Sequence, residues 1–348
     1  MTKLGYCLLF SLTFLFVVSC NVSNAQTIDE LRISVKQLEE KNSQLEAKLR
    51  RLQKGKNQSE AEAEETIQLL QKENQELQAE LDSIADEEKE KLKKENVAKS
   101  VRIEIKDPIF KEYLLRYCDM DNDGILSQWD AEHTYVIDIG RDKSLLNLIG
   151  SSNQIASIDG IEHFVNLRRL VCSGNTIPHI DLSKNKLLET FIANGCELKI
   201  LDISQNDKLT HLQCSNNLLY TIDLKNNLDL KSLDVSKNKM ATIDVSRCIQ
   251  LEQFNCSGNA LTNLDVSNNI ELQTIDCSNN KLTALSFAKN TALDNINCSN
   301  NKLTDLDVRN GIDIKFIDCS KNKDLEFVYF GKGCRVFSDK RDPKAYFK

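Results

Sequence analysis

The sequence predicts an α/β repeat architecture: a long helical coiled coil, then a solenoid of about nine coils of 21–22 residues with a parallel β-sheet on its concave side. Three observations carry this. Leu167, Leu188, Leu209, Leu230, Leu251, Leu272, Leu293 and Ile314 stand 21 residues apart. An asparagine follows most of them after eight positions. Residues 26–99 hold no proline and one glycine among Glu, Lys, Gln and Leu, the composition of an exposed helix.

The 348 residues suffice for two or three domains, and a formal charge of −7 leaves no basic field to displace counterions from phosphates, which excludes nucleic-acid binding. Lys3 precedes an apolar run from Cys7 to Val18, too short to span a bilayer, which reads as the core of an export signal. Two processing sites compete. Val17-Val18-Ser19-Cys20 fits a lipobox, ending the signal at residue 19 and placing lipid on Cys20, whereas Ser23-Asn24-Ala25 fits ordinary cleavage after residue 25. The stretch CNVSNAQTIDEL from Cys20 resembles the start of the murein lipoprotein of Gram-negative bacteria. That resemblance implies a lipid-anchored outer-membrane or cell-surface protein; cleavage at Ala25 would instead leave a secreted or periplasmic one.

In residues 26–100, Ile28, Leu31, Val35, Leu38, Asn42, Leu45, Leu49 and Leu52 alternate three and four apart, as the seam of a coiled coil does. The pattern breaks across 54–59 and resumes at Ile67, Leu70, Asn74, Leu77, Leu81 and Ile84, shifted by four. Asn42 and Asn74 fall on a positions, where a buried amide favours a parallel two-stranded coil and hence a homodimer. A hairpin about Gln58 is the competing geometry.

Residues 105–144 read as a helical cap holding an EF-hand-like loop, DMDNDGILSQWD, over 119–130. Asp119, Asp121 and Asp123 supply carboxylates at loop positions 1, 3 and 5, Gly124 permits the turn, Ile125 offers its carbonyl, and Ser127 and Asp130 fill positions 9 and 12. These are hard oxygen donors suited to a structural Ca2+ ion. The aspartate at position 12 makes the loop resemble dockerin loops more than sensor EF-hands, implying affinity suited to the exterior. An acidic turn that binds nothing is the competing reading.

From 145 to 328 each unit sets apolar residues at +3, +5, +10, +13 and +15, counted from its leading aliphatic residue, and Asn at +8 (175, 217, 238, 259, 280, 301 and 322), with Cys196 in one unit. Residues 329–348 read as a terminal cap. This pattern, LxxLxLxxNxL, resembles the leucine-rich repeat family. The first unit, with Asn153, Ile155 and Ile158, is one residue longer and is similar to internalin-type repeats. Residues 105 to about 335 resemble leucine-rich repeat proteins of Bacteroidetes and related bacteria, which implies a protein-interaction or adhesion module with no catalytic role. An envelope spacer, with the coiled coil as the working part, is the alternative.

Cys172, Cys214, Cys256, Cys277, Cys298 and Cys319 share the +5 slot, filled elsewhere by Ala193 and Val235, so the slot demands a small apolar group. Stacking at ~4.8 Å exceeds the Cβ separation of a bridge, so these are expected to be buried thiols. Strand alternation turns +2, +4 and +6 outward. The expected partner surface is therefore Gln213, Asp234, Asn255, Asp276, Asn297 and Asp318, with Arg169, His211 and Phe316 as larger side chains. Aspartates 181, 202, 223, 244, 265 and 307 are expected to cap their own turns. His133, His163, His179 and His211 are scattered, and no nucleophile recurs with a base.

Overall fold

A computed structural model describes residues 60–140, 154–308, 314–330, 334–338 and 344–345, with isolated helical positions between 36 and 47. The export segment, Cys20, Asn42 and Asn153 lie outside the described residues, as do the side chains of Ile67, Leu70 and Asn74. The chain divides into two compact units, Met1–Ala98 and Lys99–Lys348.

Helix α1 runs Glu60–Ser100 without interruption. Of its expected seam residues, Leu77 and Leu81 are only 2% and 8% exposed and Ile84 is half-buried, whereas Leu92 and Val97 further along lie in solvent. The apolar stripe thus ends near Ile84. Beyond it, pairs such as Lys91 with Glu87 (3.1 Å) and Lys94 with Glu90 (3.9 Å) decorate an exposed helix.

The second unit starts with helix α2 (Pro108–Tyr117), helix α3 (Gln128–Glu132) and strand β1 (Val136–Asp138). Asp107 caps α2 through Oδ1, which accepts from the Ile109 and Phe110 amides at 3.0 Å. Its Oδ2 accepts from the Ala156 and Ser157 amides, fastening the helix to the first coil. The Tyr113 hydroxyl accepts from the Asp138 amide at 3.0 Å, and burial pushes its pKa to about 12. Phe110, Leu114, Ala131, Ile137 and Phe164 close this end without solvent exposure.

The coils contribute β2 (Arg169–Val171), β3 (Thr190–Ile192), β4 (His211–Gln213), β5 (Ser232–Asp234), β6 (Gln253–Asn255), β7 (Thr274–Asp276), β8 (Asn295–Asn297), β9 (Asp305–Asp307), β10 (Phe316–Asp318), β11 (Phe327–Tyr329), β12 (Arg335–Phe337) and β13 (Lys344–Ala345). Ten strands form one parallel sheet in the order β1 to β8, β10, β12, and β9, β11 and β13 form a second, smaller one. Register advances 21 residues per strand from β2 through β8 to β10, so Thr190 lies beside His211 and Asn295 beside Phe316. The sheet passes both boundaries read from the sequence: β1 belongs to the expected cap, and β12 to the expected tail. The step from Phe316 to Arg335 is 19 residues and that from Val136 to Arg169 is 33, so a search for the 21-residue period misses both.

A single apolar core runs from Ile103 to Phe330. The +8 asparagines form the expected ladder. Asn217 Nδ2 donates to the carbonyls of Ala193 in the preceding coil (2.7 Å) and Cys214 in its own (3.0 Å), while Oδ1 accepts from the Cys196 and Leu198 amides. Where Cys196 replaces asparagine, its Sγ donates to the Cys172 carbonyl at 3.2 Å. A second ladder was not foreseen. Asn185, Asn206, Asn227, Asn269 and Asn290, at +18, are buried, and Asn206 Nδ2 donates to the Leu182 and Asn185 carbonyls one coil back. The backbone at +7 is left-handed in every coil, occupied by glycine at 174, 195 and 258, asparagine at 216, 279 and 300, and lysine at 237 and 321. Asparagine and glycine suit that conformation and lysine does not.

All ten cysteines among the described residues are free, and those at +5 are buried. Burial pushes the thiols of Cys214, Cys256, Cys277 and Cys298 well above their ordinary range.

Candidate functional site

Strands β3 to β8 and β10 bury the middle residue, such as Leu212, Leu233, Phe254 and Ile275, and turn its neighbours outward. All nine side chains expected from the sequence to face a partner stand on these outward positions. Arg169 and His211 share one column with Phe316, and Gln213, Asp234, Asn255, Asp276, Asn297 and Asp318 form the next. His211 is exposed, with its Nδ1 2.8 Å from Thr210 Oγ1. Phe316 is half-buried because it packs on Phe337 at a centroid separation of 5.1 Å, so it is partly structural. The tail's irregular spacing concealed that contact from the sequence.

The second column is stiff. Oδ1 of Asp234, Asp276 and Asp318 accepts from the amides of Ser236, Ser278 and Ser320 at 2.9 Å. Asn255 and Asn297 bind Ser257 and Ser299 in the same way. This local lock fixes the side chains through one oxygen, and the second carboxylate oxygen of Asp276 accepts from Asn297 Nδ2 in the next coil at 3.2 Å. A shallow concavity of about 420 Å³ spans β4 to β10 over this column, lined also by Ser232, Gln253, Thr274 and Asn295. Those four polar side chains lie at +2 and carried no distinguishing sequence signal beyond alternation.

Five of the six turn aspartates behave as expected, whereas Asp307 lies in strand β9 beside Tyr329. Oδ1 of Asp181, Asp202, Asp223, Asp244 and Asp265 accepts from the amide two residues on, at 2.8–3.0 Å. These amide bonds, with the serine side chains, hold the carboxyls of Asp181, Asp202 and Asp265 below the usual carboxylate range, while the Lys225 ammonium and the Ser246 side chain lead the same lowering at Asp223 and Asp244.

In the acidic loop, ligand atoms of Asp119, Asp121 and Asp123 come within 4.8 Å of one another. Asp119 gathers the turn by accepting from the Asp123 and Gly124 amides, and Gly124 adopts φ +79°. Lys99 Nζ lies 3.6 Å from Asp121 and 4.2 Å from the Trp129 ring centre. Ser127 and Asp130 stand apart from the triad in role. They form a capping box on α3, and the buried Asp130 carboxylate accepts from the Met120 amide, the Ser127 amide and Ser127 Oγ. The carboxylates that the loop brings together are those of the three aspartates, while Ser127 and Asp130 brace the loop.

The fold and these columns define a parallel β-solenoid of the leucine-rich repeat type. Compared with solved structures, the chain is similar to the functional domain of InlJ from Listeria monocytogenes, described as including a cysteine ladder: 25% identity, TM-score 0.50, covering 67% of this chain and 59% of that one. It is also similar to a leucine-rich repeat protein of Leptospira interrogans (17% identity, TM-score 0.39, covering 54% of this chain and 62% of that). YopM from Yersinia enterocolitica gives 16% identity and a TM-score of 0.40, covering 59% and 48% respectively. The chain thus spans less than two thirds of the length of these structures. No family model matches the chain, and no curated protein matches it.

Proposed function

We propose that this chain is a non-enzymatic binding protein of the cell envelope that presents its concave sheet to a protein ligand. One observation carries the reading: from β4 through β8 to β10 the parallel sheet holds an outward column of polar side chains, five of them locked to the following serine amides. Proteins of this fold are commonly interaction modules. His133 and His163 bond to the Trp129 carbonyl and Gln128 Oε1, and the Thr210 hydroxyl beside His211 donates to the Glu189 carbonyl at 3.1 Å.

Envelope placement rests on Lys3, the apolar run to Val18 and Cys20. In this reading α1 belongs to a coiled-coil stalk. The a-position amides Asn42 and Asn74 favour a parallel homodimer of this stalk. The three loop aspartates hold a structural Ca2+.

The deciding experiment captures partners with the full chain and compares His211→Ala combined with Gln213→Ala. A partner retained by the parent and lost by the variant supports the reading. Equal capture by both, or envelope defects that track only deletion of residues 26–99, would support a spacer instead. Fatty-acid labelling lost in Cys20→Ala tests the anchor, and calorimetry with calcium on Asp121→Ala tests the loop.

A further inference from the structure

Two independent features converge on β5, β6 and β7. The first is electrostatic. The column just before the strands is already neutralised across coils: Arg168 pairs with Glu189, Lys231 with Glu252 at 3.6 Å, and Lys315 with Asp294 at 3.0 Å. Inside the groove no cation pairs with Asp234, Asp276 or Asp318 among the described residues. These carboxylates alternate with Asn255 and Asn297, so negative charge recurs at every second coil, ~9.6 Å apart at ~4.8 Å per strand.

The second feature is apolar. Leu228, Ile249 and Ile270 sit four residues ahead of β5, β6 and β7 and are 42%, 57% and 52% exposed. The equivalent positions ahead of β3, β4 and β8 are Lys186, Asp207 and Thr291. Val165, ahead of β2, is exposed but isolated, whereas three branched aliphatic side chains on successive coils form a stripe ahead of the strands that hold Asp234, Asn255 and Asp276. Exposed isolated apolar residues are ordinary, but a row on three successive coils marks a contact surface.

We infer that the β5–β7 sector docks an extended cationic segment of a partner protein, with basic side chains at every third residue over Asp234 and Asp276 and apolar ones on the Leu228–Ile249–Ile270 stripe. The inference rests on the protein-binding reading above. A polyproline II segment repeats every three residues and rises ~9.3 Å over that distance, which matches the ~9.6 Å between alternate coils. A β-strand ligand repeats at ~6.8 Å per two residues and falls out of step with the acids. Complementary charge sets register and association rate here, while the stripe supplies apolar burial.

Fluorescence anisotropy on the full chain tests this with a labelled peptide of three Leu-Pro-Lys repeats. The controls are a shuffled peptide of equal composition and one with glutamate replacing lysine. The periodic peptide is expected to bind, and Asp234→Asn with Asp276→Asn to weaken it about tenfold. Both amides retain the Oδ1 that accepts from Ser236 and Ser278, so folding is preserved. Ile249→Ser should weaken binding about threefold, and Asp202→Asn, on a turn remote from the groove strands, should change nothing. Equal binding of the shuffled peptide, indifference to the double variant, or no binding at all overturns the inference. If a captured protein partner depends on His211 and Gln213 while the peptide fails, this inference falls and the broader function stands.

Discussion

In the central coils each buried amide finds its partner one coil away through a repeated asparagine, whereas in the amino-terminal cap the same task falls to residues that occur once. Asn217, Asn238 and Asn280 make nearly the same bonds at nearly the same lengths. Asp107 joins α2 to the first coil, the Tyr113 hydroxyl joins α2 to β1, and Asn166 Nδ2 reaches the Glu132 carbonyl at 2.7 Å. Translation supplies redundancy in the coils. The cap has none, so a single change there acts on a whole junction.

The largest effect is expected at Asn217→Ala, which strips hydrogen bonds from two buried amides and two carbonyls and should cost about 4 kcal/mol in denaturant melts. Near-equal losses at Asn238 and Asn280 would sharpen the comparison, and unequal ones would break it. Gly160→Ala should cost about 3 kcal/mol, since the residue has φ +104° and a Cβ there would lie 2.2 Å from Ile105 Cδ1. Asp107→Ala, losing the cap of α2 and its link to the first coil, should cost about 2 kcal/mol. Native-state hydrogen exchange should then show α2 opening while β4 to β8 stay protected.

Smaller effects concern charge and backbone. The turn aspartates have folded pKa values below their unfolded ones, so their stabilisation is present above the ordinary carboxylate pKa of ~3.9 and is lost as pH falls through the lowered values. Melting temperature should drop in that acid window, and Asp202→Ala combined with Asp244→Ala should flatten the drop. Lys237→Gly should stabilise the chain by about 1 kcal/mol by relieving a left-handed lysine, and no gain in melting temperature would refute that strain. Thiol titration of the native protein near pH 8 should reach the half-buried Cys334 before any +5 cysteine, because a shielded thiol is neither ionised nor accessible.

Much of the solenoid was legible because each coil repeats its own constraints. Leucine or isoleucine at the leading position and a small residue at +5 answer one local demand eight times over, and asparagine at +8 does so seven times, so period and face could be read without knowing any contact. Asparagines recur at +18 in five coils, against seven at +8. They were overlooked because residues 180–186 and their counterparts read as a turn, in which asparagine is commonplace. The loop triad was legible from spacing alone, whereas the bracing role of Ser127 and Asp130 required the position of α3.

Local chemistry by itself determined the coil period, the inward sulfur atoms and the polar columns, since alternation along a strand and translation between coils leave each side chain one available direction. Only the folded chain decided where the sheet begins and ends, which carboxylates are matched by cations, and that Leu228, Ile249 and Ile270 stand exposed on successive coils. Those outcomes depend on neighbours brought together from different coils or from irregular segments, and no spacing within one unit encodes them.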